Sequence, residues 1–178
     1  MAPDPLKYAR IEHERRFLLR TIPAGMSAKA RTIEDLYVDG TRLRVRKVSS
    51  NGDIERKLGQ KLTLDDGRRI ITSIYLSSAE HARLDALPGA RIAKMRHRCV
   101  ERGLDYAIDV FGGSLAGVVI AEIEAQSDEA LRALPTPTFA HCEITDRPEL
   151  TGYVLAVAPA AALAFARRLL AEPAANAL

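Results

Sequence analysis

Hydrophobic and polar residues alternate along much of the chain, which is the pattern of β-strands that turn one face toward a core. The alternation predicts eight strands, at residues 8–19, 32–38, 41–49, 54–63, 68–76, 91–101, 104–111 and 117–126. Asp39-Gly40 and Asn51-Gly52 are dipeptides typical of tight β-hairpins, and Asp65-Asp66-Gly67 marks a further turn. Together these segments predict an antiparallel meander.

Three helices are predicted around these strands. Ser77 and Glu80 match a capping box, in which each side chain satisfies an amide of the first helical turn. Ser127 is a suitable cap for a second, short helix, and Pro159 suits the first turn of a third helix at 160–171. Because the helices interrupt or follow the strands and do not alternate with them, the predicted class is α+β.

Size and composition exclude several kinds of protein. The 178 residues suit one domain at 1–178, with a loose leader at 1–7 and a loose tail at 173–178. The net charge of +3 is mild, and no aromatic residues interleave with the basic strands, so we expect no nucleic-acid partner. Cys99 and Cys142 form no Cys-x-x-Cys motif, which argues against a zinc site. Without an apolar leader or a long apolar segment, a cytoplasmic protein with no membrane partner is expected.

Several strands carry basic residues alone on one face. These faces consist of Arg42, Arg44 and Arg46; of Lys57 and Lys61; and of Lys94, Arg96 and Arg98. Neighbouring cations repel each other unless an anion lies between them, and a phosphate chain is the most natural candidate. The basic faces therefore predict a phosphate-binding surface.

Two strands at opposite ends of the predicted order carry acidic pairs. Glu12 and Glu14 lie in the first strand, and Glu122 and Glu124 lie in the last. If the sheet closes on itself, these strands are neighbours, and up to four carboxylates surround one or two hard cations such as Mg²⁺ or Mn²⁺. Closure also removes the exposed edges of the sheet. We therefore predict a closed, eight-stranded antiparallel β-barrel, a tunnel with flanking helices.

An ordinary one-sided sheet packed on helices gives the same alternation, with its charged face in water. The separation of the two signs favours the tunnel, because solvated strands usually mix acids and bases. Both arrangements remain open at this point.

The motifs, taken in order, resemble the CYTH family of triphosphate tunnel metalloenzymes. Members open with Glu-x-Glu-x-Lys, which stands here as Glu12-His13-Glu14-Arg15-Arg16. The likeness continues through Arg42-Leu43-Arg44-Val45-Arg46, Lys57-Leu58-Gly59-Gln60-Lys61, Lys94-Met95-Arg96-His97-Arg98, Asp109-Val110-Phe111-Gly112-Gly113 and Ala121-Glu122-Ile123-Glu124. The resemblance implies an eight-stranded antiparallel tunnel and a divalent-metal-dependent triphosphatase, a phosphoric anhydride hydrolase. Its implied substrate is inorganic tripolyphosphate or an organic triphosphate, and its implied cofactor is Mg²⁺ or Mn²⁺.

The resemblance also implies a role for each matching residue. The implied metal ligands are Glu12, Glu14, Glu122 and Glu124. The implied phosphate ligands are Arg16, Arg42, Arg44, Arg46, Lys57, Lys61, Lys94, Arg96 and Arg98. The implied catalytic residues are Glu12, Glu14, Asp109, which supports the metal or a water, and Lys29, which helps to position the attacking water.

The chain departs from the family pattern at two places. Arg16 stands where the motif has lysine, and residues Ile71-Thr72-Ser73-Ile74 stand where many members have another Glu-x-Glu. Two alternatives therefore stay open: a class IV-type adenylate cyclase that makes cyclic AMP from ATP, and a catalytically weak module that binds polyphosphate or a nucleotide. The sequence leaves the natural substrate, a second metal and the oligomeric state undecided; a homodimer is compatible with it.

Overall fold

The computed structural model describes residues 7–65 and 68–174. In this part of the chain, the strands are β1 (Arg10–Ile11), β2 (Glu14–Leu19), β3 (Ala30–Val38), β4 (Leu43–Ser50), β5 (Asp53–Thr63), β6 (Arg69–Tyr75), β7 (Gly89–Glu101), β8 (Leu104–Phe111), β9 (Val119–Glu124) and β10 (Cys142–Glu143). The helices are α1 (Ser78–Asp85), α2 (Asp128–Ala133), α3 (Gly152–Val157) and α4 (Pro159–Ala171). Most of the predicted leader, most of the predicted tail and part of the turn at 65–67 lie outside the described residues.

All of these strands form one sheet, in the order β1-β6-β5-β4-β3-β7-β8-β9-β2-β10, and each pair is antiparallel. The predicted α+β class with an antiparallel sheet is confirmed. The closed, eight-stranded barrel is not confirmed, because the described sheet has ten strands and ends at β1 and β10. The two additional strands arise because the first predicted strand is split in two and because β10 was not predicted.

The split of the first strand brings distant parts of the sheet onto one segment. β1 pairs with β6, and the Glu12 amide donates a hydrogen bond to the Arg69 carbonyl at 2.8 Å. β2 pairs with β9, so that Glu14 lies opposite Glu124 and Arg16 opposite Glu122. The two Glu-x-Glu segments are therefore neighbours, as the sequence predicted.

The hairpin between β3 and β4 has a longer turn than its Asp-Gly dipeptide predicted. The Thr41 hydroxyl donates to the Val38 carbonyl at 2.9 Å and accepts from the Leu43 amide at 3.0 Å. Strand β4 therefore begins two residues later than predicted, and Asp35 lies opposite Arg46. Because the shift is two residues, each side chain keeps its predicted face.

Apolar residues cover both faces of the sheet around β2. Leu18 belongs to a cluster with Leu155 of α3 and Ala162 of α4. Phe17 and Leu19 point the other way, into a second cluster. Within residues 7–65 and 68–174, no helix combines the length and apolar character that crossing a bilayer requires.

The predicted capping box of α1 is present. The Ser77 hydroxyl accepts from the Glu80 amide at 3.2 Å, and the Glu80 carboxylate accepts from the Ser77 amide at 2.7 Å. We expect Ser77→Ala to lower the free energy of unfolding by about 1 kcal/mol, the usual cost of losing such a cap. Urea unfolding followed by circular dichroism measures this change. Ser78→Ala, at the next exposed position, is the control, and an equal effect of the two changes would contradict the capping role.

Candidate functional site

A cavity of about 770 Å³ lies on the charged face of the sheet. Eleven Lys and Arg residues and six Asp and Glu residues line it, which is a formal excess of five positive charges. Twelve of the predicted site residues are among them: Glu12, Glu14, Arg16, Arg42, Arg44, Arg46, Lys57, Lys61, Lys94, Arg96, Glu122 and Glu124. Because alternate residues of a strand point to the same face, residues from separate motifs lie together in this cavity.

Three predicted site residues lie outside the cavity lining. Lys29 is exposed in the loop before β3, where its amide donates to the Ser27 hydroxyl at 3.2 Å. Arg98 donates to Asp105 at 2.6 Å, and both side chains are mostly exposed. Asp109 is fully buried behind the cavity wall. This arrangement gives no support to Lys29 as a water-positioning residue or to Arg98 as a phosphate ligand.

Asp109 holds two cations side by side at the cavity wall. The Arg96 guanidinium donates to both carboxylate oxygens of Asp109, at 2.6 and 2.7 Å, and the Lys94 ammonium contacts one of them. Burial lowers the pKa of Lys94, although the charges of Asp109 and Glu122 oppose this effect. Asp109 therefore contacts two of the predicted phosphate ligands, and its support of the metal or a water stays a prediction.

Arg16 is buried and lies between two glutamates whose side chains are mostly buried. Its Nε is 3.8 Å from Glu14 Oε1 and 3.5 Å from Glu122 Oε1, and its Nη2 donates to the Leu150 carbonyl at 2.7 Å. The predicted phosphate ligand thus directs these donors to the acidic side chains and to the turn before α3. The Arg96 guanidinium also contacts Glu122.

The two glutamates differ in their pKa. Burial, together with the charge of Glu122, raises the pKa of Glu14 to about 7. Burial also acts to raise the pKa of Glu122, but the nearby cations, Lys94 and Arg96 foremost, outweigh it and hold that pKa well below its usual value. A further cation beside Glu14 would relieve the repulsion between the two carboxylates and favour its ionised form.

The acidic wall can be tested for its fit to a metal ion. Within the described ranges, 7–65 and 68–174, no three His, Cys, Asp or Glu side chains converge to hold one. Glu12 is paired with Lys61 at 2.7 Å, and Glu124 is mostly exposed. Mg²⁺ usually keeps several waters and is bound through one or two carboxylates plus substrate phosphates. Glu14 and Glu122 therefore fit Mg²⁺ or Mn²⁺ bound together with a phosphate.

Asp35 is a site residue that the sequence did not reveal. It is buried on β3, and the Arg46 guanidinium donates to its two carboxylate oxygens at 2.6 and 2.7 Å. Arg44 Nε lies 3.9 Å from Asp35 Oδ1. Burial acts to raise the pKa of Asp35, but the hydrogen bonds and charge of Arg46 hold it below its usual value. The signal that could have revealed it is a single acidic residue, Asp35, on the face of β3 that lies beside the arginines of β4.

The fold can be compared with known proteins. No family model and no curated protein matches the chain. The crystal structure of the inorganic triphosphatase NE1496 is similar, with 24% identity and a TM-score of 0.56 over 82% of this chain and 93% of that chain. A second structure, titled hypothetical protein NE1496, has 25% identity and a TM-score of 0.55 over 82% and 97% of the two chains. The chain has the CYTH-type triphosphate tunnel fold.

A third structure, PH1819 from Pyrococcus horikoshii OT3, is less similar. It is 18% identical, with a TM-score of 0.48, over 68% of this chain and 82% of that chain.

Strand β6 lacks the Glu-x-Glu pair that many members of the resembled family have at this position. The residues that β6 contributes to the cavity are Arg69, Ile71 and Ser73, so this wall has no carboxylate. Arg69 Nη2 donates to the Thr145 carbonyl at 2.8 Å and to Asp146 at 3.0 Å. The mostly buried carboxylates that contact Arg16 in the cavity are Glu14 on β2 and Glu122 on β9.

Proposed function

We propose that this protein hydrolyses the terminal phosphoric anhydride bond of a triphosphate, such as inorganic tripolyphosphate, with the help of Mg²⁺ or Mn²⁺. The observation that carries the proposal is the cavity, which combines an excess of five positive charges with Glu14 and Glu122, whose side chains are only 15% exposed. A small, highly charged anion offsets much of this positive charge, even when it carries one divalent cation. The shared fold of an inorganic triphosphatase supports the proposal.

The basic residues bind the phosphate chain in this mechanism. Arg42, Arg44 and Lys57 lie on the β4 and β5 side of the cavity, and Lys94 and Arg96 lie on the β7 side. Arginine forks bind two phosphate oxygens at once, whereas lysine acts as a compact charge. These cations neutralise the charge that develops as water attacks the terminal phosphorus and the shortened phosphate chain departs.

The glutamates form the metal-binding part of the site. Glu14 and Glu122 would hold the divalent cation, and Glu12 and Glu124 belong to the same two acidic segments. A cation bound there supplies positive charge to the phosphate oxygens and lowers the pKa of a bound water. Arg16, through its contacts with Glu14 and Glu122, fixes the spacing of their carboxylates.

The assay for this function uses the purified full chain with tripolyphosphate, thiamine triphosphate and ATP, each with Mg²⁺ and then Mn²⁺. We expect release of orthophosphate, loss of turnover in EDTA and recovery when the metal is restored. Glu122→Gln protein, purified in the same way, controls for contaminating phosphatase. Cyclic AMP and pyrophosphate from ATP would contradict the proposal in favour of a cyclase, and binding without turnover would indicate a binding module.

A further inference from the structure

We propose that Asp35 is a positioning residue that orients the arginines of β4 for phosphate, so that an acidic side chain strengthens the binding of a polyanion. This inference rests on the proposed function of the cavity as a triphosphate site. Asp35 stands on β3, directly opposite Arg46 on β4. Its side chain is 3% exposed, although the residue lies at the cavity lining.

The contact fixes the Arg46 side chain at two points. Arg46 Nε and Nη2 both donate to Asp35, which holds the plane of the guanidinium in one orientation. A guanidinium has five N–H donors, so this contact leaves others for a ligand. Arg44 lies against the same carboxylate at 3.9 Å, and Arg44 Nη2 is 3.8 Å from where a Cβ on Gly59 would be. The Arg44 side chain therefore passes Gly59 at ordinary van der Waals distance.

Orientation before binding lowers the cost of binding. Arginine has many rotamers, and ordering one such side chain on association opposes affinity. Arg44 and Arg46 carry like charges on one face of one strand, so without an acid they would separate and lose their common direction. Asp35 removes both problems before the ligand arrives. Asp109 on β8 has the same relation to Lys94 and Arg96 on β7.

The negative charge of Asp35 makes the proposal testable, because positioning and simple electrostatics predict opposite changes in affinity when that charge is removed. A negative side chain beside a bound polyanion repels it, so Asp35→Asn should strengthen binding if Asp35 acts only through its charge. If Asp35 acts by positioning the arginines, the same substitution weakens binding. The sign of the change in affinity separates the two.

The experiment titrates inorganic tripolyphosphate into the full chain by calorimetry, in EDTA, so that binding is measured without turnover. We expect Asp35→Asn to weaken binding about tenfold, or ~1.4 kcal/mol. Glu34→Gln is the matched control: Glu34 is the preceding residue, is exposed and pairs with Lys47 at 2.9 Å on the other face, so its affinity should not change. The double variant Asp35→Asn with Arg46→Lys should lose less affinity than the two single losses combined.

Two results would overturn the inference: equal or tighter binding by Asp35→Asn, or no binding by the unaltered chain. The hydrolysis assay tests the proposed function separately, so the two failures are distinguishable. A purely structural role of Asp35 would lower the melting temperature but leave the affinity of the folded protein unchanged. If Asp35→Asn does not fold, Arg46→Lys replaces it. Lysine keeps the charge but cannot make both contacts, so we expect weaker binding, and unchanged binding would overturn the inference.

Discussion

Glu122→Gln is expected to reduce triphosphate hydrolysis by more than about a hundredfold, because it removes one of the two mostly buried carboxylates that would hold the cation. Glu122 is enclosed by Arg16, Arg96 and Lys94, whose charges keep it ionised. Glutamine preserves the shape of the side chain but removes the charge and one acceptor. The measurement is kcat with tripolyphosphate at saturating Mg²⁺, together with Mn²⁺ affinity from electron paramagnetic resonance.

Glu124→Gln is the matched control for this prediction. Glu124 is also a glutamate of β9, two residues from Glu122, but its side chain is 61% exposed. Its carboxylate lies 3.9 Å from the guanidinium of Arg10, whose side chain is also mostly exposed. Exposed pairs of this kind contribute little, so we expect a loss of less than about tenfold. Equal losses in the two variants, or an unchanged rate in Glu122→Gln, would contradict the assignment of the buried carboxylate to the metal.

The parts of the fold that depend on neighbouring residues could be predicted from the sequence. Asn51 and Gly52 form a two-residue turn with positive φ angles of 50° and 92°, as their types require. Pro159 begins α4, as predicted from its fixed φ. Period-two alternation likewise indicated which side chains share a face, since this depends only on position along a strand.

The parts that depend on distant partners could not be predicted. Cys142 and Glu143 become a strand only because Leu18 and Phe17 offer free backbone groups across the fold. Helix α3 begins with Gly152, a poor helix former, and packs Leu155 into the main apolar cluster. Tertiary contacts outweigh local preference in both segments.

The same distinction applies to the site. The alternation of side chains along a strand correctly grouped Lys94 with Arg96. It also placed Arg98 on the same face, but this side chain is mostly exposed, because alternation does not say where along a strand the cavity ends. The partner of Asp35 depends on the register of the β3–β4 hairpin, which the longer turn shifts by two residues. The face of each side chain was therefore predictable, whereas the exact partner of a residue on the next strand was not.

Asp109→Asn is expected to lower the free energy of unfolding by about 3–5 kcal/mol, the usual effect of removing one partner from a buried ion pair. Asp109 is fully buried and is the shared acceptor for Lys94 and Arg96. Asparagine has nearly the same volume, so the loss comes from removing a negative charge that two cations share and not from a cavity. Urea unfolding, followed by circular dichroism, measures the change.

Asp105→Asn is the control on the same strand and the same face. Asp105 also accepts from an arginine, Arg98, at 2.6 Å, but both side chains are mostly exposed, so its loss should cost less than about 1 kcal/mol. Comparable small effects of both substitutions would mean that burial does not strengthen the Asp109 cluster. Where Asp109→Asn remains folded, its KM for tripolyphosphate should rise more than its kcat falls, because Asp109 acts through Lys94 and Arg96, which bind phosphate in the proposed mechanism.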